Sequence, residues 1–219
     1  MLSDLLRWGG KRPRQPDARG GDAPAPRGEE PSVPTKAFPK LLSAVASQTD
    51  NPVLIDLGPV IGSNVAFFGE RLGCKLFIED LFADYDRHSR AGTLDELAKA
   101  FETRFRHEDA SVDGVLCWDF FDFLPKPAAQ ALARQIIRML RPGGAVMGFF
   151  STAAMPRAPF MKYEIVDDKQ LRHRHHAGTG GLRHVLANRD IIKMFDGLTV
   201  SDSFLLKSNT REILLRRKS

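Results

Sequence analysis

VLIDLGPVIGSN, residues 53–64, is the stretch from which the rest of the chain can be interpreted. Its apolar start has the continuous hydrophobicity of a strand that is covered on both faces. Gly58 and Gly62 bound a sharp turn at which a ligand could approach bare backbone, and a helix is expected to begin near Ser63. This succession of strand, turn and helix predicts a site for a nucleoside-bearing ligand.

The spacing of the two glycines separates several kinds of nucleotide site. A dinucleotide fingerprint needs G-x-G-x-x-G, but Val60 and Ser63 occupy its second and third glycine positions. A phosphate-binding P-loop needs a Lys after its last glycine, and none follows Gly62. What remains is an acid, Asp56, two residues before the first glycine. This pattern resembles the first motif of the class I S-adenosylmethionine-dependent methyltransferases.

That family motif is usually written D/E-x-G-x-G-x-G, and its backbone passes beneath the methionine part of the cofactor. Val60 stands where the family has its middle glycine. The resemblance implies that S-adenosyl-L-methionine is bound here as methyl donor. An Asn near a helix start can alternatively serve as a cap. The cofactor-binding residues implied in this stretch are Asp56, Gly58, Pro59, Gly62 and Asn64.

A second acidic position follows the next predicted strand, residues 74–78. Glu79 and Asp80 end that strand, and a carboxylate there can accept hydrogen bonds from both hydroxyls of an adenosine ribose. Glu79 is the better candidate because it follows the apolar run directly. The alternative is a solvated strand end. The predicted cofactor site therefore includes Glu79, with Asp80 beside it.

The strand predicted at residues 112–117 ends in the sequence WDFFDFLP. Two acids interleaved with four aromatic residues are unusual for a purely structural turn. In the methyltransferase family this strand end lies beside cofactor and substrate, so the resemblance implies roles for Trp118 and Asp119. A capping Asp and a core Trp are the structural alternative.

A base is needed near the acceptor if the acceptor must lose a proton. Asp119, Tyr163, His175 and His176 are candidates by position, and the last three belong to residues 151–186, a predicted lid or substrate-side insertion. The histidines alternate with arginines and no cysteines cluster near them, so no metal site is expected.

Strands and helices alternate along the chain with short connections. This predicts a doubly wound three-layer α/β sandwich with a mostly parallel sheet. Residues 198–207 and 211–217 predict an antiparallel C-terminal hairpin, which the methyltransferase family also has. The LRPGG sequence at residues 140–144 resembles the family's turn before its fifth strand. Residues 84–90 are interpreted as an exposed loop, and the family's third strand has no clear counterpart.

Composition bounds the domain organisation and the compartment. Among 219 residues, 42% are hydrophobic, which suits one globular domain, predicted at 38–217. Residues 1–37 are rich in Pro and Gly and predict a disordered basic tail. Residues 1–14 could form a short amphipathic helix for weak peripheral membrane contact. Two cysteines in apolar runs and the absence of a membrane-spanning stretch favour a cytoplasmic protein.

Three functions are compatible with these features. The first is a methyltransferase acting on a small or medium-sized acceptor. The second is a methyltransferase-like module that binds or scaffolds without catalysis. The absence of the middle glycine favours this second function. The third is modification of nucleic acid, suggested by a net charge of +5 that is concentrated in the chain ends. The acids within the tail make a nucleic-acid partner improbable.

Overall fold

The computed structural model describes residues 31–176 and 180–218. The helices are α1 (Phe38–Ala46), α2 (Gly62–Leu72), α3 (Leu81–Ala91), α4 (Leu97–Arg104), α5 (Lys126–Met139) and α6 (Asn188–Met194). The strands are β1 (Ser32–Pro34), β2 (Val53–Asp56), β3 (Lys75–Ile78), β4 (Val112–Trp118), β5 (Leu140–Ser151), β6 (Met155–Ala158), β7 (Met161–Ile165), β8 (Gln170–His175), β9 (Gly181–Arg183), β10 (Leu198–Leu205) and β11 (Thr210–Arg217).

A six-stranded sheet in the order β10-β11-β5-β4-β2-β3 forms the centre of the molecule. Strands β5, β4, β2 and β3 are parallel, whereas β11 runs antiparallel to both β5 and β10. In the parallel part, Ile55 lies opposite Phe77 on one side and Val115 on the other. The predicted doubly wound α/β fold with a mostly parallel sheet and an antiparallel C-terminal hairpin is confirmed.

Helices cover both faces of this sheet because successive strand residues point to opposite faces. Leu54 and Leu116 pack with α1 and α2, while Ile55 and Val115 pack with α3, α4, α5 and α6. Both strands are therefore apolar at the paired residues 54–55 and 115–116, as expected for parallel strands that are buried on both sides, although β4 also contains the buried Asp113. The three-layer arrangement follows from this pattern.

Residues 155–175 and 181–183, together with β1 near the start of the described chain, form two small antiparallel sheets, β1-β8-β7 and β6-β9. The first of them packs on α2 through Asn64. The side-chain nitrogen of Asn64 donates to the carbonyl of Tyr163 at 2.9 Å, and its oxygen accepts from the Ile165 N–H at 2.8 Å. Asn64 therefore ties the insertion to the start of α2 and makes no capping hydrogen bond there.

Three local predictions need correction. Strand β1 falls within the predicted tail, because Val33 pairs with Leu171 of β8 and Ala37 is buried. Residues 84–90, interpreted as a loop, lie in α3, whose Leu81, Phe82 and Tyr85 supply a short buried side among many charges. Residues 140–144, predicted as a turn before the fifth strand, belong to β5, and the pairing of β5 with β4 shifts register there.

Residues 1–30, which include the predicted membrane-contacting segment 1–14, lie outside the described residues. Within the described ranges, no helix combines the length and the apolar character needed to cross a bilayer.

Candidate functional site

The carboxyl ends of β2, β3 and β4 meet at one edge of the central sheet. The Glu79 N–H donates to the Asp56 carbonyl at 2.8 Å, and the Leu57 N–H donates to the Leu116 carbonyl at 2.9 Å. These bonds continue the strand pairing into the residues that follow the strands. The residues predicted from three separate strand ends thus lie side by side, as the parallel arrangement requires.

The Asp56 carboxylate binds the backbone of the glycine turn. Its carboxylate is 2% exposed, and Oδ1 accepts hydrogen bonds from the Gly58 N–H at 2.8 Å and from Trp118 Nε1 at 2.6 Å. Burial raises the pKa of Asp56 to about 6, although both donors act in the opposite direction. Asp80 contributes a smaller upward effect on this pKa. The carboxylate therefore links the turn backbone to the end of β4.

Trp118 lies directly on the backbone of Gly58. A Cβ atom at Gly58 would be 2.8 Å from Trp118 Cδ1 and 2.9 Å from Nε1, so only glycine fits beneath the indole. Trp118 has a positive φ of 50°, which is unusual for a large side chain. Its ring stacks on Tyr163 with centroids 5.0 Å apart and planes 6° from parallel.

The other predicted residues of the turn are placed differently. Pro59 is buried, whereas Val60 is 63% exposed. Gly62 is the first residue of α2, and a Cβ added there would meet nothing within 4 Å. Gly58 is therefore the glycine that close packing requires, and Gly62 faces open space.

Glu79 is held by two basic side chains that the sequence analysis did not identify. Arg104 Nη1 lies 2.6 Å from Glu79 Oε2, and His107 Nε2 lies 3.4 Å from Oε1. Arg104 also bonds the Glu79 carbonyl and pairs with Asp84 at 2.9 Å. No local sequence signal could have revealed this pairing, because Arg104 is distant in the chain and converges on Glu79 only in the fold.

Asp80 caps α3. It has a φ of 40° and a ψ of 59°, and its Oδ1 accepts from the Ala83 N–H at 3.3 Å. An acid at this position suits the positive end of a helix. The sequence offers Asn64 as a possible cap at the start of α2. The structure instead has a side-chain cap at the start of α3, where Asp80 supplies it.

Asp119 forms a buried ion pair with Arg183. The Asp119 residue is 3% exposed, and Arg183 Nη2 lies 2.6 Å from its Oδ2. Burial raises the pKa of Asp119 to about 6, while Arg183 and the Tyr163 hydroxyl lower it. Arg183 was not predicted, because it follows a glycine-rich segment without any motif. Asp119, Tyr163 and Arg183 together form a polar group beside the stacked Trp118.

Asp122 is a second buried acid at the same strand end. Its Oδ2 accepts from the Ser151 N–H at 2.8 Å, and no described residue bonds Oδ1. Burial raises the pKa of Asp122 to about 7, and the neighbouring Asp119 carboxylate contributes in the same direction. The sequence pattern of acids among aromatic residues pointed to this segment, but it selected Asp119 alone.

We predict that Asp122→Asn stabilises the protein at pH 8 but not at pH 4. A carboxyl whose folded pKa is raised favours the protonated form, so its stabilising contribution is complete below the unfolded pKa, near 3.9, and is lost as pH rises through about 7. The asparagine amide does not ionise, so the variant avoids this loss. Its free energy of unfolding at pH 8 is expected to exceed that of the unmodified protein by about 2 kcal/mol, after discounting for relaxation of the site. Urea unfolding at both pH values measures it.

The exposed Asp95→Asn serves as the control for this prediction, because it makes the same chemical change on the surface. Its effect should stay within about 0.5 kcal/mol at both pH values. A stability gain for Asp122→Asn of equal size at pH 4 and pH 8 would contradict the titration argument.

The two candidate histidines occupy the end of β8. His175 is exposed and pairs with Met161 of β7. The His176 N–H donates to the Phe160 carbonyl at 2.8 Å. Burial and the charge of Lys162 lower the pKa of His176, and the carboxylates of Asp80 and Asp86 act in the opposite direction. His176 therefore lies within electrostatic reach of the cap of α3.

A cavity of about 220 Å³ is lined by Tyr163 and does not include the glycine turn among its lining residues. Its walls include Phe149, Tyr163, His173, Arg183 and Glu212. Glu212 is 1% exposed, and its Oε2 accepts the Lys36 and Ala37 N–H groups, both at 2.7 Å. No sequence pattern pointed to Glu212, since its partners Lys36 and Ala37 are about 175 positions away in the chain. The cavity, which we call the Tyr163 cavity, combines aromatic walls with charged groups.

The fold and this edge define a doubly wound α/β protein whose strand ends carry buried acids and a glycine turn. Neither a protein-family profile nor a curated protein sequence matches the chain. Similar solved structures include the 1,6-didemethyltoxoflavin-N1-methyltransferase of Burkholderia thailandensis, at 17% identity and a TM-score of 0.48, covering 84% of this chain and 79% of that one.

Two further similar structures are also methyltransferases. The glycopeptide N-methyltransferase MtfA is 15% identical with a TM-score of 0.46, covering 80% of this chain and 92% of its own. A geranyl diphosphate methyltransferase in complex with S-adenosylmethionine is 11% identical with a TM-score of 0.47, covering 84% and 85%.

Proposed function

We propose that this protein binds S-adenosylmethionine at the edge formed by β2, β3 and β4 and transfers its methyl group to a small or medium-sized acceptor. The observation that supports the proposal is the meeting of Asp56, Gly58, Glu79 and Trp118 at one sheet edge. Ligands of doubly wound folds bind at the carboxyl ends of the strands. The acid-glycine turn and a neighbouring acid are both at that edge.

The residues present suit such a cofactor in their donors and acceptors. Glu79 keeps spare acceptor capacity, because a carboxylate has about four lone-pair sites, of which Arg104 uses one on Oε2 and His107 one on Oε1. It would accept hydrogen bonds from the ribose hydroxyls. Asp56 fixes the turn backbone, and the indole of Trp118 would move from Gly58 to leave that backbone open. The bound cofactor supplies an already reactive methyl group, so the protein mainly has to align it and exclude water.

The acceptor is assigned in this proposal to the Tyr163 cavity. That cavity shares Tyr163 and Arg183 with the polar group around Asp119. Asp119 does not line the cavity itself, but it contacts both of these residues, and with its pKa near 6 we assign it as the group that takes a proton from an acceptor amine or hydroxyl. Arg183, which lowers the pKa of Asp119, would keep the carboxylate ionised until the acceptor binds. A volume of about 220 Å³ lies below the range of roughly 300–1,000 Å³ that is typical of ligand pockets, which favours a small acceptor.

We expect Glu79→Gln to lower the affinity for S-adenosylmethionine by about tenfold or more, since a hydrogen bond to a charged group contributes about 1.5–3 kcal/mol. Isothermal titration calorimetry with the purified full chain measures this. The matched control is Asp84→Asn, which also breaks a pair with Arg104 but carries no predicted cofactor contact. Its affinity should remain within about threefold of the unmodified protein. Equal affinities for both variants would remove Glu79 from the site.

A non-catalytic binding module is the second candidate, and two observations favour it. The indole of Trp118 occupies the space above Gly58, and Arg104 occupies the carboxylate of Glu79. The Tyr163 cavity does not extend to either Gly58 or Glu79. Measured cofactor binding without methyl transfer to a panel of phenols, amines and carboxylates would support this module. Turnover of any panel member would support the enzyme.

A further inference from the structure

A second cavity, of about 370 Å³, lies between the first turn of α5 and helix α6. It shares none of its lining residues with the Tyr163 cavity. Its apolar wall is made by Leu124, Leu186 and Met194. Its volume falls within the range of roughly 300–1,000 Å³ that is typical of small-molecule pockets. We call it the α5-α6 cavity.

The charges on this cavity are mostly positive. Lys126 and Lys193 line it, together with His184 and one acid, Asp190. Among the residues that the structure describes, neither lysine takes part in an ion pair. Lys126 is also the first residue of α5, whose first turn contains no acidic side chain. The positive end of that helix adds to the field of the two ammonium groups.

One side of the cavity is formed by a segment that also reaches the candidate site. Within residues 183–186, Arg183 pairs with Asp119 at 2.6 Å, and the His184 N–H donates to the Asp122 carbonyl at 2.7 Å. The next residue, Val185, lines the cavity and is 47% exposed. A large apolar side chain left open beside two unpaired lysines is a surface that an amphipathic ligand would cover.

We propose that the α5-α6 cavity binds a small amphipathic carboxylate, with its apolar part against Leu186 and Met194 and its carboxylate between Lys126 and Lys193. The apolar wall supplies affinity through burial of hydrocarbon, and the two ammonium groups select for a negative charge. The proposal does not depend on methyl transfer. It assigns a ligand class to a cavity between α5 and α6, separate from the sheet edge proposed for the cofactor.

The test compares octanoate with octanol, which have the same chain but differ in charge. Octanoate should bind the full-length protein with chemical shift changes at Val185, Leu186 and Met194 in NMR titrations. Octanol should bind about tenfold more weakly, and added salt should weaken octanoate binding, because exposed charges are screened. In the double variant Lys126→Gln/Lys193→Gln, octanoate affinity should fall about tenfold, to the affinity of octanol. Each exposed lysine charge is expected to contribute about fivefold or less to this loss.

Lys99→Gln is the matched control, since it removes an exposed lysine from α4 that does not line the cavity. It should leave octanoate binding unchanged. A second variant, Val185→Asp, keeps both lysines but puts a negative charge into the wall, and it should weaken octanoate more than octanol. Failure of octanoate to bind, equal binding of octanol, or the same affinity in the double lysine variant would overturn the proposal. None of these outcomes depends on S-adenosylmethionine, so the result is separate from the proposed methyltransferase function.

Discussion

Gly58→Ala is expected to abolish S-adenosylmethionine binding and to lower the free energy of unfolding by about 2 kcal/mol, a cost typical of one methyl group inserted into a packed site. The added Cβ would lie 2.8 Å from Trp118 Cδ1 and 3.1 Å from Asp56 Oδ1. The indole would have to leave its place, losing both the bond to Asp56 at 2.6 Å and the stacking on Tyr163. The turn that should receive the cofactor would then be filled by a side chain.

Gly62→Ala in the same motif is the control for this prediction. The position is the first residue of α2 with open space around it, and neither Gly58 nor Gly62 has a positive φ. Alanine should therefore be neutral or slightly stabilising there, by up to about 0.5 kcal/mol. Calorimetry and urea unfolding of both variants provide the measurement. Retained cofactor binding in Gly58→Ala would show that the ligand does not approach this backbone.

The sequence was sufficient for the sheet because β2, β3 and β4 each contain a short apolar run that reaches a polar residue at the strand end. In β4 this run begins only after the buried Asp113. The ends of parallel strands necessarily share an edge. For that reason the sequence alone is enough to group Asp56, Glu79 and Trp118. Helix α3 was missed because its charged residues outnumber the three apolar ones that it buries, so its periodicity is weak.

The partners of the grouped residues could not be predicted in the same way. Arg104 reaches Glu79 across 25 positions of the chain, and Arg183 reaches Asp119 across 64. Local patterns contain no information on such contacts, since they depend on how the insertion and the helices pack. The site prediction therefore found the acids at the strand ends but not the cations that neutralise them, and these cations decide how available each acid is to a ligand.

Arg183→Met is the other substitution with a large expected effect. It leaves the Asp119 carboxylate buried without its cation, and removing one partner of such a pair typically costs about 3 kcal/mol or more. Methionine keeps an apolar contact with Phe123, over whose ring the guanidinium now lies at 5.2 Å. The loss should be about 3 kcal/mol at pH 8 and much smaller at pH 5.

The dependence on pH follows from the titration of Asp119. Its pKa is about 6 with Arg183 present and must rise further without it, because Arg183 lowers this pKa. At pH 5 the variant can bury a neutral carboxyl, whereas at pH 8 it must bury a charge or pay for protonating it. Urea unfolding of the variant should therefore show its stability falling as pH rises from 5 to 8 more steeply than that of the unmodified protein.

A second substitution separates this electrostatic loss from lost packing. Asp119→Asn added to Arg183→Met removes the unpaired charge, so it should recover at least half of the stability lost at pH 8. Arg174→Met is the surface control: Arg174 pairs with Glu164 at 2.7 Å but is half exposed, and its loss should cost less than about 1 kcal/mol. An equal cost of Arg183→Met at both pH values, with no recovery in the double variant, would mean that Arg183 acts through packing alone. In that case Asp119 could not be the ionised base that the proposed proton transfer requires.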